Sequence, residues 1–309
     1  MTKLGIGQIR NLEESDIKYK IADNTLRKRI IKQKFAFSIF KIALLVNGLA
    51  LFIIIYFLVA NGWRAINWTF LTSPPLDSMT QGGILPCIIG TALLGIGSML
   101  IALPMGIFSA IYLAEYATPG TLVNLIRLGI NNLAGVPSVV FGLFGLAFFV
   151  VVMQMGVSLI AGCFTLAAMS LPLVIASTEE ALRSVPDTYR EASLALGATK
   201  WQTTYRVVIP AALPSILTGA ILALSRVAGE TAPIMFTAAV FYTPDLPGSV
   251  FDEIMALPYH IYVLATAGTE IEKTRHLQYG TALVLVALVL GLNLIAIYFR
   301  ARIQKKNMR

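Results

Sequence analysis

Long runs of apolar residues recur along the 309-residue chain, and they constrain its fold more than any other feature. A helix needs ~20 apolar residues to cross the ~30 Å hydrocarbon core of a bilayer. Six runs suit this length: 42–60, 83–113, a run within 129–153, 158–176, 214–241 and 280–299. Only 13% of the residues are charged, against ~25% in soluble domains. The sequence therefore predicts an all-α integral membrane protein with six transmembrane helices, and it excludes a water-soluble globule and a disordered chain.

The placement of basic residues predicts the orientation of these spans. Connections on one side carry eighteen Lys or Arg, whereas the other side carries Arg64, Lys273 and Arg275. Because cytoplasmic segments are enriched in Lys and Arg, both termini are expected in the cytoplasm of a multi-pass protein. The net charge of +8 is therefore assigned to orientation in a lipid bilayer, and nucleic-acid binding is not expected.

This orientation predicts an organisation in three parts. Residues 1–41 form a cytoplasmic tail, 42–300 a six-helix transmembrane domain, and 301–309 a second cytoplasmic tail. Within the domain, 177–213 is a cytoplasmic loop and 242–279 an external loop. The apolar stretch 254–267 is too short to span and contains Pro258, so an interfacial or re-entrant segment is expected there.

Two opposite charges lie inside the fifth predicted span. Arg226 and Glu230 are four residues apart, so they share one helix face and can pair. A purely structural pair is one interpretation. The other is an oxyanion site, because guanidinium forms a planar fork of donors that matches phosphate or a similar anion. Gly229 and Pro233 predict a local break in the helix at this point.

The predicted cytoplasmic loop 177–213 has the pattern of two short helices. Ser184 with Asp187 resembles a capping box, and that helix is expected to end near Gly197. Thr199 with Gln202 gives a second capping box, before a helix that ends near Pro210.

The sequence offers no catalytic constellation. It contains no Gly-Lys dipeptide, so it lacks an ATP-binding P-loop, and it has neither H-E-x-x-H nor G-x-S-x-G. Cys87 and Cys163 lie in apolar runs without metal-ligand spacing. We therefore expect neither an enzyme nor a metal site.

The loop also carries a recognisable motif. Its residues resemble the E-A-A, three residues, G, nine residues, I-x-L-P pattern of importer-type ABC permeases, with Ser193, Val207 and Ile209 as mild departures. The resemblance implies the type I, MetI-like permease fold and a loop that couples the permease to an ATPase subunit. The implied coupling residues are Glu191, Ala192, Ser193, Gly197 and Pro210.

Three segments are similar to the phosphate-uptake branch of these permeases, the PstA subunits: residues 133–146, 191–214 and 225–233. The resemblance implies a permease that imports inorganic phosphate across the bacterial inner membrane, through a pathway lined by Ser225, Arg226, Glu230 and Thr231. It implies a PstC-like second permease, two PstB-like ATP-binding subunits and a periplasmic PstS-like phosphate-binding protein. ATP would be bound by the partner, so no cofactor is expected in this chain.

Two alternatives stay open at this point. The chain could be a permease for another oxyanion, sulfate or molybdate, since guanidinium binds these as well. It could also be a non-conducting membrane subunit that docks an ATPase.

Overall fold

The computed structural model describes residues 4–267 and 271–307. The chain divides into two units, Met1–Phe57 and Leu58–Arg309. In the first unit the described residues belong to one helix, α1 (Leu4–Gly62), and the apolar side chains between Phe35 and Phe57 are exposed. The N-terminal tail predicted at 1–41 is thus helical from Leu4 onward, and its first three residues lie outside the described part.

The second unit consists of helices and one very short hairpin. Strands β1 (Pro75–Leu76) and β2 (Gln81–Gly82) pair antiparallel. The described helices that follow α1 are α2 (Trp68–Thr72), α3 (Leu85–Ile111), α4 (Thr121–Ala134), α5 (Ser138–Gly145), α6 (Leu159–Arg183), α7 (Asp187–Ala195), α8 (Lys200–Thr203), α9 (Ile209–Ala228), α10 (Ala232–Thr237), α11 (Leu257–Thr266) and α12 (Ile271–Asn307). Three π-helical turns, Tyr112–Tyr116, Leu146–Val152 and Thr204–Val208, follow α3, α5 and α8.

Five helical segments in the described part are long and apolar enough to cross a membrane: Lys32–Ala65, Leu85–Tyr116, Leu159–Arg183, Lys200–Ala228 and Thr274–Lys305. A sixth is the bent pair Thr121–Ala134 and Ser138–Val152. When this pair is counted as one span, each of the six predicted spans has a counterpart.

The third span is not the continuous helix that the sequence predicted within 129–153. Its two halves meet at 100°. The physical reason lies in the connecting residues, because Gly135 ends α4 and Pro137 precedes α5. The ring of a proline also disfavours helical geometry at the residue before it, here Val136.

The fifth span was predicted at 214–241, and both ends are wrong. One helical segment runs from Lys200 through the π turn Thr204–Val208 to Ala228. Pro210, at which the sequence predicted a helix end, lies inside it. A proline lacks the N–H that would close an α-helical hydrogen bond, and a neighbouring π turn is one way in which a helix accommodates that loss.

The core of the second unit lies where α3, α6, α9 and α10 meet. Close packing of α3 on α6 depends on small residues: a Cβ at Gly97 would lie 2.6 Å from Cys163 Sγ, and one at Gly106 would lie 2.5 Å from Val174 Cγ1. Both cysteines, Cys87 and Cys163, are buried.

Residues 254–257 form a buried segment that leads into α11. Ile254 forms a parallel bridge with Ala239, and the Leu257 N–H donates to Thr91 Oγ1 at 2.8 Å. The predicted non-spanning stretch 254–267 is therefore packed among the helices. The external loop predicted at 242–279 contains all of α11, and its residues 268–270 lie outside the described part.

Candidate functional sites

The first candidate site is the break between α9 and α10, which the sequence predicted at Gly229 and Pro233. Gly229 is the C-cap of α9, and Thr231 is the N-cap of α10. The N–H groups of Gly229 and Glu230 donate to the carbonyls of Arg226 and Val227, both at 3.2 Å. These i to i−3 bonds tighten the last turn, and the chain then leaves the helix.

Arg226 and Glu230 meet at this break. Arg226 Nε lies 3.6 Å from Glu230 Oε1, and the side chains are 44% and 18% exposed, respectively. A charge-assisted hydrogen bond is shorter, ~2.7–2.9 Å. Among the residues that the structure describes, the Arg226 guanidinium makes no hydrogen bond, so its donors are available to a further acceptor.

Glu230 sits further inside the bundle than its partner. It lines a cavity of about 10 Å³ together with Thr91, Leu166 and Pro258. That volume corresponds to about one water molecule. The carboxylate therefore belongs to the inner wall of the break, and the more exposed guanidinium belongs to its surface.

The other two predicted pathway residues occupy different surroundings. Ser225 Oγ lies 2.8 Å from the Ile221 carbonyl and 2.7 Å from Asn293 Oδ1 of α12. Thr231 is half-buried in the break beside Glu230. The structure thus brings Arg226, Glu230 and Thr231 together, whereas Ser225 contacts the neighbouring helix. The sequence interpretation missed Asn293, although an amide in an apolar run is a signal for a hydrogen bond between helices.

Two glycines of α5 allow it to pack closely against α10 on the far side of the break. A Cβ at Gly142 would lie 3.0 Å from the Ala232 carbonyl oxygen, and one at Gly145 would collide with Thr165 and Thr237. These glycines allow α5 to approach α10 more closely than any larger residue would. The break therefore has a fixed wall.

The second candidate site is the helical hairpin formed by α7 and α8. Gly197 adopts φ +82°, in the left-handed region that favours glycine, and turns the chain between the two helices. Thr199 and Gln202 form the predicted capping box, with Gln202 N–H donating to Thr199 Oγ1 at 3.2 Å and Thr199 N–H to Gln202 Oε1 at 2.9 Å. The turn and the second cap are confirmed.

The first predicted capping box, Ser184 with Asp187, is wrong. Ser184 is the C-cap of α6, and its hydroxyl donates to the Ala181 carbonyl at 2.8 Å. Pro186 occupies the N-cap of α7 and has no side-chain acceptor. Helix α6 extends to Arg183, and α7 begins at Asp187. Because so few residues connect the two helices, Ser184 caps the end of α6 and does not cap the start of α7.

Four of the five predicted coupling residues lie along this hairpin. Glu191 and Ala192 are exposed on α7, whereas Ser193 is half-buried and its hydroxyl lies 2.9 Å from Thr203 Oγ1 of α8. Pro210 lies farther on, inside α9. The hairpin and the π turn that follows it also expose apolar side chains that the sequence interpretation did not single out: Tyr189, Leu194, Leu196, Trp201 and Tyr205. Such a patch is typical of a protein-interaction surface.

Arg127 of α4 contacts two other elements of the bundle. Its Nε lies 2.9 Å from Glu179 Oε1, and its Nη2 donates to the Leu113 carbonyl at 2.9 Å. It therefore joins α4 to α6 and to the end of α3. The two partners are far apart in sequence, so no local pattern revealed them.

Comparison with known families identifies this architecture. Residues 102–309 match the family described as "Binding-protein-dependent transport system inner membrane component". The chain belongs to this family. It is therefore a multi-pass membrane component of a transport system and not an enzyme.

Known permeases are similar in sequence over most of the chain. The probable ABC transporter permease protein YqgI of Bacillus subtilis (strain 168) is 35% identical over 290 residues, which cover 90% of this chain and 98% of that protein. The phosphate transport system permease protein PstA 1 of Mycobacterium tuberculosis (strain CDC 1551 / Oshkosh) is 35% identical over 285 residues, covering 89% and 90%. The resemblance to PstA-type permeases stated from the sequence is confirmed.

Solved structures support the permease fold. An inward-facing methionine ABC transporter, MetNI, aligns with a TM-score of 0.53 at 20% identity, covering 74% of this chain and 95% of that chain. A bacterial alginate ABC transporter in complex with an alginate pentasaccharide-bound periplasmic protein aligns with a TM-score of 0.52 at 16% identity, covering 85% and 94%. The predicted MetI-like fold of an ABC importer permease is confirmed.

Proposed function

We propose that this chain is the permease subunit of an ATP-driven importer of inorganic phosphate, and that the anion passes the break between α9 and α10. The observation that carries the proposal is the loosely paired Arg226, which keeps its donors available inside an apolar span. PstA phosphate permeases are among its relatives at 35–36% identity. A fixed guanidinium can replace part of the hydration shell of phosphate, which cannot cross lipid unaided.

Glu230 gives this site a means of release. A site that held phosphate tightly throughout would not let it go. In our proposal, the carboxylate 3.6 Å from Arg226 Nε competes with the anion for the guanidinium and balances its charge after the anion leaves. Thr231 lies next to Glu230 and would add a hydroxyl donor, whereas Ser225 would act through its contact with α12.

We further propose that the α7–α8 hairpin docks on the ATPase subunit in the cytoplasm. Its exposed aromatic and aliphatic side chains would enter a cleft on the partner, and Glu191 would face a basic group there. Substitution Glu191→Lys should uncouple ATP hydrolysis from uptake while membrane insertion stays normal. Normal uptake by the Glu191→Lys transporter would contradict this role.

The remaining partners and the topology follow from the same proposal. A PstC-like permease would complete the pathway, two PstB-like subunits would bind ATP, and a PstS-like protein would deliver phosphate from the periplasm. Both termini would lie in the cytoplasm, with tails at 1–41 and 301–309 around the permease domain 42–300, because eighteen basic residues lie on that side.

The experiment is uptake of labelled phosphate by cells that contain the complete transporter, with excess sulfate or molybdate as competitor. Arg226→Gln removes the charge and leaves a shorter polar side chain, and it should lower uptake at least about tenfold at equal membrane expression, as expected for the loss of a charge-assisted hydrogen bond. Arg226→Lys keeps the charge without the fork and should retain part of the uptake. Arg183→Gln is the matched control, because that arginine is 57% exposed and pairs elsewhere.

Each alternative has its own outcome in this experiment. Uptake that sulfate or molybdate abolishes, or that carries those ions instead, would identify a permease for another oxyanion. Full phosphate uptake by Arg226→Gln would favour a subunit that docks the ATPase without conducting, and it would return the Arg226–Glu230 pair to a structural role.

A further inference from the structure

One guanidinium joins three elements at the end of the bundle that carries the hairpin. Arg190 of α7 places Nη2 2.8 Å from Glu115 Oε1, in the π turn after α3. The same nitrogen donates to the Leu182 carbonyl of α6 at 2.9 Å, and Nη1 donates to the Val185 carbonyl at 2.8 Å. A further contact, to Asp187 at 3.2 Å, involves a side chain that is 86% exposed.

These contacts add side-chain donors at the end of α6, where the last carbonyls of a helix lack intrahelical donors. The Leu182 carbonyl also accepts from the Val185 N–H at 3.3 Å, and the Val185 carbonyl lies just beyond the helix. The Glu115 side chain is only 8% exposed and the Arg190 side chain 19%. The hydrogen bond that Arg190 donates to the Glu115 carboxylate raises the pKa of the Arg190 guanidinium.

The residue after Glu115 contacts the other helix of the hairpin. Lys200 Nζ of α8 lies 5.3 Å from the centre of the Tyr116 ring, within range of a cation–π interaction. The bond between Ser193 and Thr203 ties α7 to α8. Two consecutive residues of the π turn after α3 therefore contact both helices of a hairpin that is itself cross-linked.

The same end of α3 is packed firmly into the bundle. Ala110 and Ile111 belong to one buried apolar cluster with Leu182, Val185 and Val208, which come from α6, the loop before α7 and the π turn before α9. A displacement of the hairpin would therefore reach α3 through Glu115 and Tyr116, and α6 through the carbonyls that Arg190 binds.

From this arrangement we infer that Glu115 and Arg190 are positioning residues that transmit the motion of the hairpin to α3 and α6. The inference rests on the proposed function, because it requires that the hairpin docks on an ATPase. Neither residue lies at the break between α9 and α10 or belongs to the exposed apolar patch of the hairpin. Their loss should weaken coupling while leaving the docking surface intact.

The test compares two carboxylates at the same end of the bundle. Glu115→Gln removes the charge that faces Arg190. Glu179→Gln is the matched control: its side chain is 13% exposed, and it pairs with Arg127 and Arg183 but not with the hairpin. Complete transporters are reconstituted in vesicles with the binding protein, and phosphate transported per ATP hydrolysed is measured at equal amounts of assembled complex.

Glu115→Gln should lower this ratio about tenfold, while Glu179→Gln should stay within about twofold of wild type. The amount of ATPase subunit retained by the permease should be unchanged in both. Arg190→Lys serves as the second variant if Glu115→Gln does not assemble. It keeps the charge but cannot reach both carbonyls and the carboxylate with one nitrogen, so the ratio should fall about threefold.

The outcomes separate this inference from the proposed function. Wild-type phosphate uptake with an unchanged ratio in Glu115→Gln, or in Arg190→Lys if that variant is used, would overturn the inference and leave the function standing. An equal loss of the ratio in Glu179→Gln would overturn it as well, because any buried carboxylate would then have the same effect. A wild-type transporter that moves no phosphate under ATP would overturn the proposed function itself, and with it this inference.

Discussion

Arg190 and Arg226 are both paired with a carboxylate at the end of a helix, yet their surroundings differ. Arg190 reaches a buried glutamate at 2.8 Å and two backbone carbonyls. Arg226 has one carboxylate at 3.6 Å and is 44% exposed. A guanidinium whose donors are satisfied fixes the elements around it, whereas one with available donors can bind something else. The difference separates a structural connection from a candidate binding site.

The largest expected effect is a loss of stability when Arg190, whose guanidinium is hydrogen-bonded, is replaced. Arg190→Ala leaves Glu115 charged and nearly buried, and it removes one donor from each of the Leu182 and Val185 carbonyls. The loss should be about 3 kcal/mol, which corresponds to a fall in Tm of roughly 5–10 °C for a protein of this size. Arg226→Ala should change the free energy of unfolding by less than about 1 kcal/mol. Thermal unfolding in detergent measures both, and equal shifts would contradict the distinction.

The turn of the hairpin should show the next largest effect. At φ +82°, Gly197→Val costs roughly 1–2 kcal/mol in the backbone. We expect loss of coupling between ATP hydrolysis and uptake, with normal membrane insertion. Gly197→Asn is the control and should stay close to wild type, because asparagine tolerates this conformation. Equal uptake by both variants would show that the shape of the turn does not matter.

Removing the N-cap of α8, which follows the turn at Gly197, should have a smaller effect on stability. Thr199→Ala removes the acceptor of the Gln202 N–H and should destabilise the start of α8 by about 1 kcal/mol. Thr199→Ser keeps the hydroxyl and should behave like wild type. Hydrogen exchange at residues 200–203 measures the difference, and identical protection in both variants would be inconsistent with the cap.

The smallest effect should be the coupling within the pair at the break. In a double-mutant cycle, Arg226→Gln and Glu230→Gln should show a coupling energy in unfolding below about 1 kcal/mol. The same cycle on Arg190 and Glu115 should exceed about 1.5 kcal/mol. If the order were reversed, the pair at the break would be structural and the one at the hairpin dispensable.

Features encoded in consecutive residues could be predicted from the sequence. Apolar runs gave the spans, Gly197 and the Thr199–Gln202 pattern gave the hairpin, and Gly229 with Pro233 gave the break. The 100° bend of the third span was missed, although Gly135 and Pro137 carry a visible signal for it. The continuation of the helix through Pro210 was missed because a nearby π turn compensates for the absent N–H.

The connections between distant residues could not be predicted in this way. Glu115 lies 75 residues from Arg190 in the sequence, and Arg127 lies 52 residues from Glu179. Each charge alone suits a membrane-surface location, and only the packing of the helices brings the partners together, α4 with α6 in one pair and the end of α3 with α7 in the other. The pair of Arg226 and Glu230 is the opposite case, because the two residues are only four positions apart and the sequence could predict their pairing. The pair forms even though α9 ends between them.

The π turn Thr204–Val208 sets the rotational relation between the hairpin and the fifth span. A π turn contains one residue more than the α-helical path, and one residue corresponds to about 100° of rotation around the axis. Removing a single residue here would leave the apolar run long enough to cross the membrane. It would nevertheless rotate Trp201 and the rest of the exposed apolar patch of the hairpin by about a quarter turn relative to Arg226. The one additional residue of the π turn thus fixes the rotation of the hairpin about the helix axis, and with it the direction in which a displacement of the hairpin reaches Arg226.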